Sequence, residues 1–141
     1  MRYFCNKNNT NMDKRILSTG AILGMIAIIL GAFGAHALKK VLSIEQLSTF
    51  ETGVRYQMYH ALFLLFFGLM KDIPQKTKKV IYFLVLFGVI LFSGSIYLLA
   101  TNDLTSFDFK IIGFVTPIGG LLLILGWGVL LMNIMNKKSQ N

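Results

Sequence analysis

The chain has 141 residues, 55% of them hydrophobic and 14% charged, with a formal net charge of +8. So many continuous apolar runs in so short a chain exclude an ordinary soluble domain. The positive charge lies beside those runs and not on a polar surface of its own, which excludes a nucleic-acid partner.

The first segment, 1–15, is a polar basic lead. Met1–Asn11 is rich in asparagine, and translation is expected to begin at Met12, which would leave out Cys5, the single cysteine. One cysteine in any case supports neither an intrachain disulfide nor a cysteine-based metal site. The first apolar run, Ile16–Leu38, is long enough to cross a hydrocarbon core of about 30 Å as a helix. Its basic lead and Ala35-His36-Ala37 resemble a secretory signal, but the run is too long and too glycine-rich for one and reads as a retained span. Gly20, Gly24, Ala27, Gly31 and Gly34 follow one another at alternating spacings of four and three, on one helical face. Small residues there let a neighbouring helix approach closely, so this face reads as a packing seam.

A second helix is expected from Ile44, because Ser43 and Gln46 have capping-box spacing. Ile44, Leu47, Phe50 and Val54 then form a short amphipathic stretch leading into a second span, Val54–Met70. Continuous helix from Ile44 to Met70 would be about 40 Å long, so its start either projects beyond the bilayer or the helix bends at Gly53. Arg55 and His60 are the ionisable residues of this span, and such groups at membrane depth are functional candidates. Glu51 lies four residues before Arg55 and is expected to form an interfacial ion pair with it. His60 points about 140° away from Arg55, on a stripe with Tyr56 and Gln57. The favoured reading of His60 is a structural hydrogen bond, to Gln57, Tyr56 or a serine of the third span.

Lys71–Lys79 is a turn containing Pro74. The third span, Val80–Thr101, carries Ser93 and Ser95 about two-thirds of the way across. A short polar connection follows, with Ser106 or Asp108 placed to cap the fourth span, Ile111–Met132. Thr116 and Pro117 lie in the outer half of that span. Pro117 is expected to leave a carbonyl near Gly113 unpaired, for Thr116 or a serine to satisfy. His60, Gln57, Tyr56, Ser93, Ser95 and Thr116 thus share a depth and form a candidate outward-facing polar pocket.

The fold class is all-α: a polytopic membrane protein with four transmembrane helices in an antiparallel bundle. The domain spans 16–132, and 133–141 is a basic tail. Four crossings put Arg2, Lys7, Lys14, Arg15, Lys71, Lys76, Lys78, Lys79, Lys137 and Lys138 on one side, against Arg55, Lys39, Lys40 and Lys110 on the other. The positive-inside rule then places both termini in the cytoplasm.

Catalytic machinery is poorly supported. There is no Ser/His/acid set, no paired membrane carboxylates and no phosphate loop, so the expectation is not an enzyme. His36 and His60 alone make no metal site, and no cofactor is expected.

Four strings carry a family resemblance: Gly31-Ala-Phe-Gly-Ala-His-Ala-Leu38, Phe50-Glu-Thr-Gly-Val-Arg-Tyr-Gln-Met-Tyr-His-Ala-Leu62, Leu91-Phe-Ser-Gly-Ser-Ile-Tyr-Leu-Leu-Ala100 and Thr116-Pro-Ile-Gly-Gly-Leu-Leu-Leu-Ile-Leu-Gly-Trp127. With them the chain resembles, over about Ile16–Met132, the bacterial inner-membrane family known as domain of unknown function 423 or uncharacterised protein family 0382, to which eukaryotic transmembrane protein 256 is related. The resemblance implies an inner-membrane protein with no assigned activity and no agreed catalytic residues.

Two function classes fit. The first is a binding or accessory module that recognises membrane lipid, another membrane protein or a second copy of itself. The second is a small homo-oligomeric transporter or channel. No acid lies within any span, which disfavours a proton-driven pump; His60 keeps transport open, since imidazole titrates near neutral pH.

Overall fold

The computed structural model describes residues 2–138, and side chains over 11–136. The side chains of Arg2, Cys5, Lys7, Lys137 and Lys138 therefore lie outside the described residues. Four long helices follow one another: α1 (Arg2–His36), α2 (Ile44–Leu69), α3 (Gln75–Ala100) and α4 (Val115–Lys138). The described residues contain no strand.

Each helix begins where local chemistry allows it. α1 runs back through the polar lead to Arg2, well before Ile16, because Met1–Asn11 contains no proline or glycine to stop it. α2 starts at the expected capping box: Gln46 N donates to Ser43 Oγ at 3.2 Å, and Ser43 N to Gln46 Oε1 at 2.9 Å. It then continues as one α-helix through Gly53. α3 follows Pro74, whose fixed φ suits the residue before a helix.

The start of α4 differs from expectation. Asp108 does cap, accepting from Lys110 N at 3.0 Å, but it caps a single 3-10 turn, Phe109–Ile112. α4 proper begins at Val115, four residues after Ile111. Pro117 therefore falls in the first turn, where a missing N–H breaks no helical bond. No α-helix runs through Gly113 for Pro117 to interrupt, and the Thr116 hydroxyl is engaged with Ser95.

The helices pack in chain order, α1 on α2, α2 on α3 and α3 on α4, with only slight contact between α1 and α3. The main core joins Ile16 of α1, Leu64 and Phe67 of α2, Ile81 and Val85 of α3, and Leu123 and Leu130 of α4. A smaller cluster at the other end gathers Leu38, Leu42, Phe50 and Ala100. Outside these, Met25, Ile28, Phe66, Ile124 and Leu131 are each more than half exposed, a surface suited to lipid and not to water.

Three stretches are long and apolar enough to cross a membrane: Asn11–Lys40, Gln75–Ala100 and Phe109–Asn136. α2 is long enough but carries Glu45, Glu51, Arg55, Gln57 and His60 along its first two-thirds. It is flanked on both sides, by α1 and α3, as α3 is by α2 and α4, so its buried polar groups face protein instead of lipid.

The α3–α4 contact depends on missing side chains. A Cβ at Gly119 would overlap the main-chain nitrogen of Phe92 and lie 2.8 Å from Leu91 C; one at Gly88 would lie 3.1 Å from Leu123 N. Gly119→Ala is expected to lower stability by about 1–3 kcal/mol by forcing the two backbones apart. Gly128→Ala, which meets nothing within 4 Å, is expected to change it by less than about 1 kcal/mol. Thermal unfolding in detergent checks both; equal melting temperatures would remove this account of the α3–α4 seam.

Candidate functional site

The small-residue face of α1 lies on α2. A Cβ at Gly20 would stand 2.9 Å from the carbonyl of Ala61, and one at Gly34 would stand 3.3 Å from the Phe50 ring. Gly24 and Gly31 sit over Ala61 and Val54, and Ala27 between them is 1% exposed. Close approach here brings main-chain carbonyls of α1 within reach of polar side chains on α2.

Gln57 uses that proximity. Its Nε2 donates to the Leu23 carbonyl on α1 at 2.9 Å, and its Oε1 accepts from the Tyr97 hydroxyl on α3 at 2.8 Å. One amide therefore joins three helices. A turn earlier, Ser93 Oγ of α3 donates to the Gly53 carbonyl at 2.8 Å. Gly53 is packed so closely that a Cβ would come 2.7 Å from the Tyr97 ring.

His60, 5% exposed, is held from two sides. Its Nδ1 lies 2.8 Å from the Tyr56 carbonyl, and Trp127 Nε1 of α4 donates to its Nε2 at 3.3 Å. A carbonyl only accepts and an indole N–H only donates. The neutral tautomer with its hydrogen on Nδ1 satisfies both, so a proton could enter at Nε2 only by displacing the Trp127 bond. Phe63 completes the enclosure, with its ring centroid 4.5 Å from that of Trp127.

Ser95 and Thr116 meet across α3 and α4 at 2.6 Å, and Ser95 also donates to the Phe92 carbonyl. Tyr56 is exposed, its ring against Tyr59 and Phe92. The six residues read as a pocket thus fall into several small groups at different helix contacts. None of them lines the clefts described at the surface. Among the described residues no buried side-chain nitrogen or oxygen lacks a hydrogen-bond partner. Gln57, His60, Ser93, Ser95 and Thr116 are each close enough to a neighbouring helix to bond to it.

The Glu51–Arg55 ion pair does not form. Both residues are exposed, and Arg55 Nε donates at 3.4 Å to the main-chain carbonyl of Glu51 instead of its carboxylate. Exposed pairs of this kind contribute little, and the long side chains gain as much by folding onto their own helix.

Three partners had no signal in the sequence. Tyr97 and Trp127 read as apolar span residues until their polar tips are placed. Lys78 counts, by position, among the loop lysines, yet it is 1% exposed and its Nζ lies 2.5 Å from Asp13 Oδ1 of α1. Asp13 keeps 23% exposure. One turn further along, the Thr19 and Tyr82 hydroxyls meet at 2.9 Å. These two bridges are the polar ties between α1 and α3. Beside them opens the largest described cleft, about 1140 Å³, between the Asn11–Thr19 stretch of α1 and the start of α3.

Asp13→Asn is expected to lower stability by about 3 kcal/mol, because it leaves the buried Lys78 ammonium without a counter-charge. Adding Lys78→Met is expected to restore most of the loss, which thermal unfolding of the single and double variants reads. A double variant no more stable than Asp13→Asn would sink the ion-pair account.

Comparison with known proteins agrees with this membrane architecture. Residues 30–120 match the family described as "Protein of unknown function (DUF423)". The UPF0382 membrane protein of Staphylococcus saprophyticus is 41% identical over 119 residues, 84% of this chain and 95% of that protein. The UPF0382 inner membrane protein YgdD of Escherichia coli K12 is 36% identical over 126 residues, 87% of this chain and 91% of that protein. No solved structure matches. With a family match over residues 30–120 and relatives 36–41% identical over most of its length, the chain belongs to the DUF423 (UPF0382) family of membrane proteins of unknown function.

Proposed function

We propose that the protein is a non-catalytic binding or accessory module of the cytoplasmic membrane, crossing it four times as an antiparallel bundle with both termini in the cytoplasm. The observation that carries this reading is the closure of the polar interior. Gln57, His60, Ser93, Ser95 and Thr116 all bond to neighbouring helices. A transport path would need polar groups that exchange partners with a passing solute; here they rivet the bundle.

Four crossings are supported by the position of α2. A helix of 26 residues flanked on two sides by apolar helices satisfies its polar groups internally, as a membrane interior requires. The cation distribution then favours Lys71, Lys76, Lys78 and Lys79 on the cytoplasmic side. At the opposite end Gln46 Nε2 donates to Asp103 Oδ2 at 2.6 Å, tying the outer start of α2 to the α3–α4 connection.

Single cysteines placed in a Cys5→Ser background test the topology. Glu45→Cys and Thr105→Cys are expected to react with a membrane-impermeant maleimide in intact cells, and Lys76→Cys only after permeabilisation. Equal labelling at 45 and 76 would mean that α2 does not cross. In proteoliposomes the wild type is expected to carry no more proton current than empty vesicles. A current abolished by His60→Ala would instead establish the transporter reading.

A further inference from the structure

We propose that the cleft between α1 and α3 binds the phosphate headgroup of an anionic phospholipid of the cytoplasmic leaflet. This rests on the reading of the chain as a four-span module with this end in the cytoplasm.

The cleft is lined by Lys14 and Arg15 of α1 and Lys79 of α3, with no acid among its lining residues. All three cations are exposed. Asp13, the acid closest in sequence to Lys14 and Arg15, is taken by Lys78. That pairing leaves the cleft with three positive charges and no internal counter-ion among the described residues. Ser18 and Gln75 add uncharged hydrogen-bonding groups. Gln75 is the first residue of α3, so the free N–H groups of a 26-residue helix open at the same place. The floor is fixed by the Thr19–Tyr82 hydrogen bond. Arg15 and the two lysines thus present the fork and point charges that bind phosphate oxygens.

Size and surroundings identify the source of the phosphate. A volume of about 1140 Å³ exceeds what an inorganic ion fills and suits a glycerophosphate headgroup. Lys79 and Phe83 also border a second, apolar groove of about 380 Å³, formed with Val80, Leu84, Phe87 and Leu122. Phe87 stands eight residues beyond Lys79, about 12 Å along the helix. A charged headgroup site that shares two residues with an apolar groove running into the hydrocarbon has the form of a phospholipid. The lack of an acid in the cleft gives no counter-charge for the ammonium of a zwitterionic headgroup, so net anionic lipid is selected.

Full-length protein in mild detergent, titrated with dioleoyl phosphatidylglycerol and followed by native mass spectrometry, tests this. One lipid is expected to bind in preference to dioleoyl phosphatidylethanolamine. Arg15→Gln with Lys79→Gln is expected to weaken it about thirtyfold, the effect of removing two juxtamembrane cations. Lys39→Gln with Lys40→Gln, at the far end of α1, is expected to change it less than about twofold. Melting temperature of each variant separates lost binding from lost folding, and the three cations are exposed enough to be replaced without unfolding. Equal weakening by both double variants, or equal binding of the two lipids, would overturn the site. Displacement of the lipid by millimolar inorganic phosphate would reduce it to a free-anion site and overturn the lipid assignment. Because the titration is done in detergent, its failure is independent of the cysteine-labelling result that tests the topology.

Discussion

Gln57 holds α1, α2 and α3 together through one amide, and the rest of the structure is arranged so that it can. In hydrocarbon a buried polar group has no water to fall back on. Gln57 therefore requires an acceptor on one neighbour and a donor on the other. The acceptor, Leu23 O, is available because the small face of α1 lets its backbone come close to α2. The donor, Tyr97 OH, is available because Gly53 lets α3 approach the other flank. Removing either small residue would separate the helices before it broke the hydrogen bond, so packing and polar satisfaction are one constraint here.

The same logic explains why α2, the helix without a stretch apolar enough to count as a span on composition, is not at the edge. α2 carries Gln57 and His60 and buries both, while α1 and α4 leave long apolar side chains exposed on their outer faces. Polar residues follow the number of neighbouring helices: where two helices flank a third, the middle one has the acceptors it needs. His60 extends this to α4 through Trp127, the single tryptophan of the chain.

Much of the helical framework was legible in the sequence, since helices are local. Hydropathy marked four apolar runs, and the Ser43–Gln46 spacing marked the start of α2. The extension of α1 to Arg2 was missed because a polar asparagine-rich stretch has no apolar period to betray a helix. The polar residues at common depth were also legible, but their partners were not. Depth and face follow from spacing on one helix; the residue opposite depends on how neighbouring helices are rotated. Ser93 and Ser95, two residues apart, point to different helices, one to Gly53 of α2 and the other to Thr116 of α4. Lys78 was hidden for the opposite reason. Its charge placed it with the loop lysines, and only the nearness of α1 shows Asp13 drawing it inward. The Glu51–Arg55 pairing failed where spacing alone was trusted on an exposed surface.

The order of contacts along the chain has a consequence for biogenesis. α1 meets α2, α2 meets α3 and α3 meets α4, so each helix after the first, as it is synthesised, finds a packing partner already there. Polar groups still wait for later helices: Asp13 and Thr19 of α1 for Lys78 and Tyr82, Gln57 and His60 of α2 for Tyr97 and Trp127, and Ser95 of α3 for Thr116. Synthesis therefore runs from a hairpin closed by small residues to a final step in which an indole N–H reaches an imidazole synthesised 67 residues before it. The last helix acts as a latch, and a ribosome that stalls before it leaves a nascent chain in which His60 lacks its indole partner and Ser95 lacks Thr116.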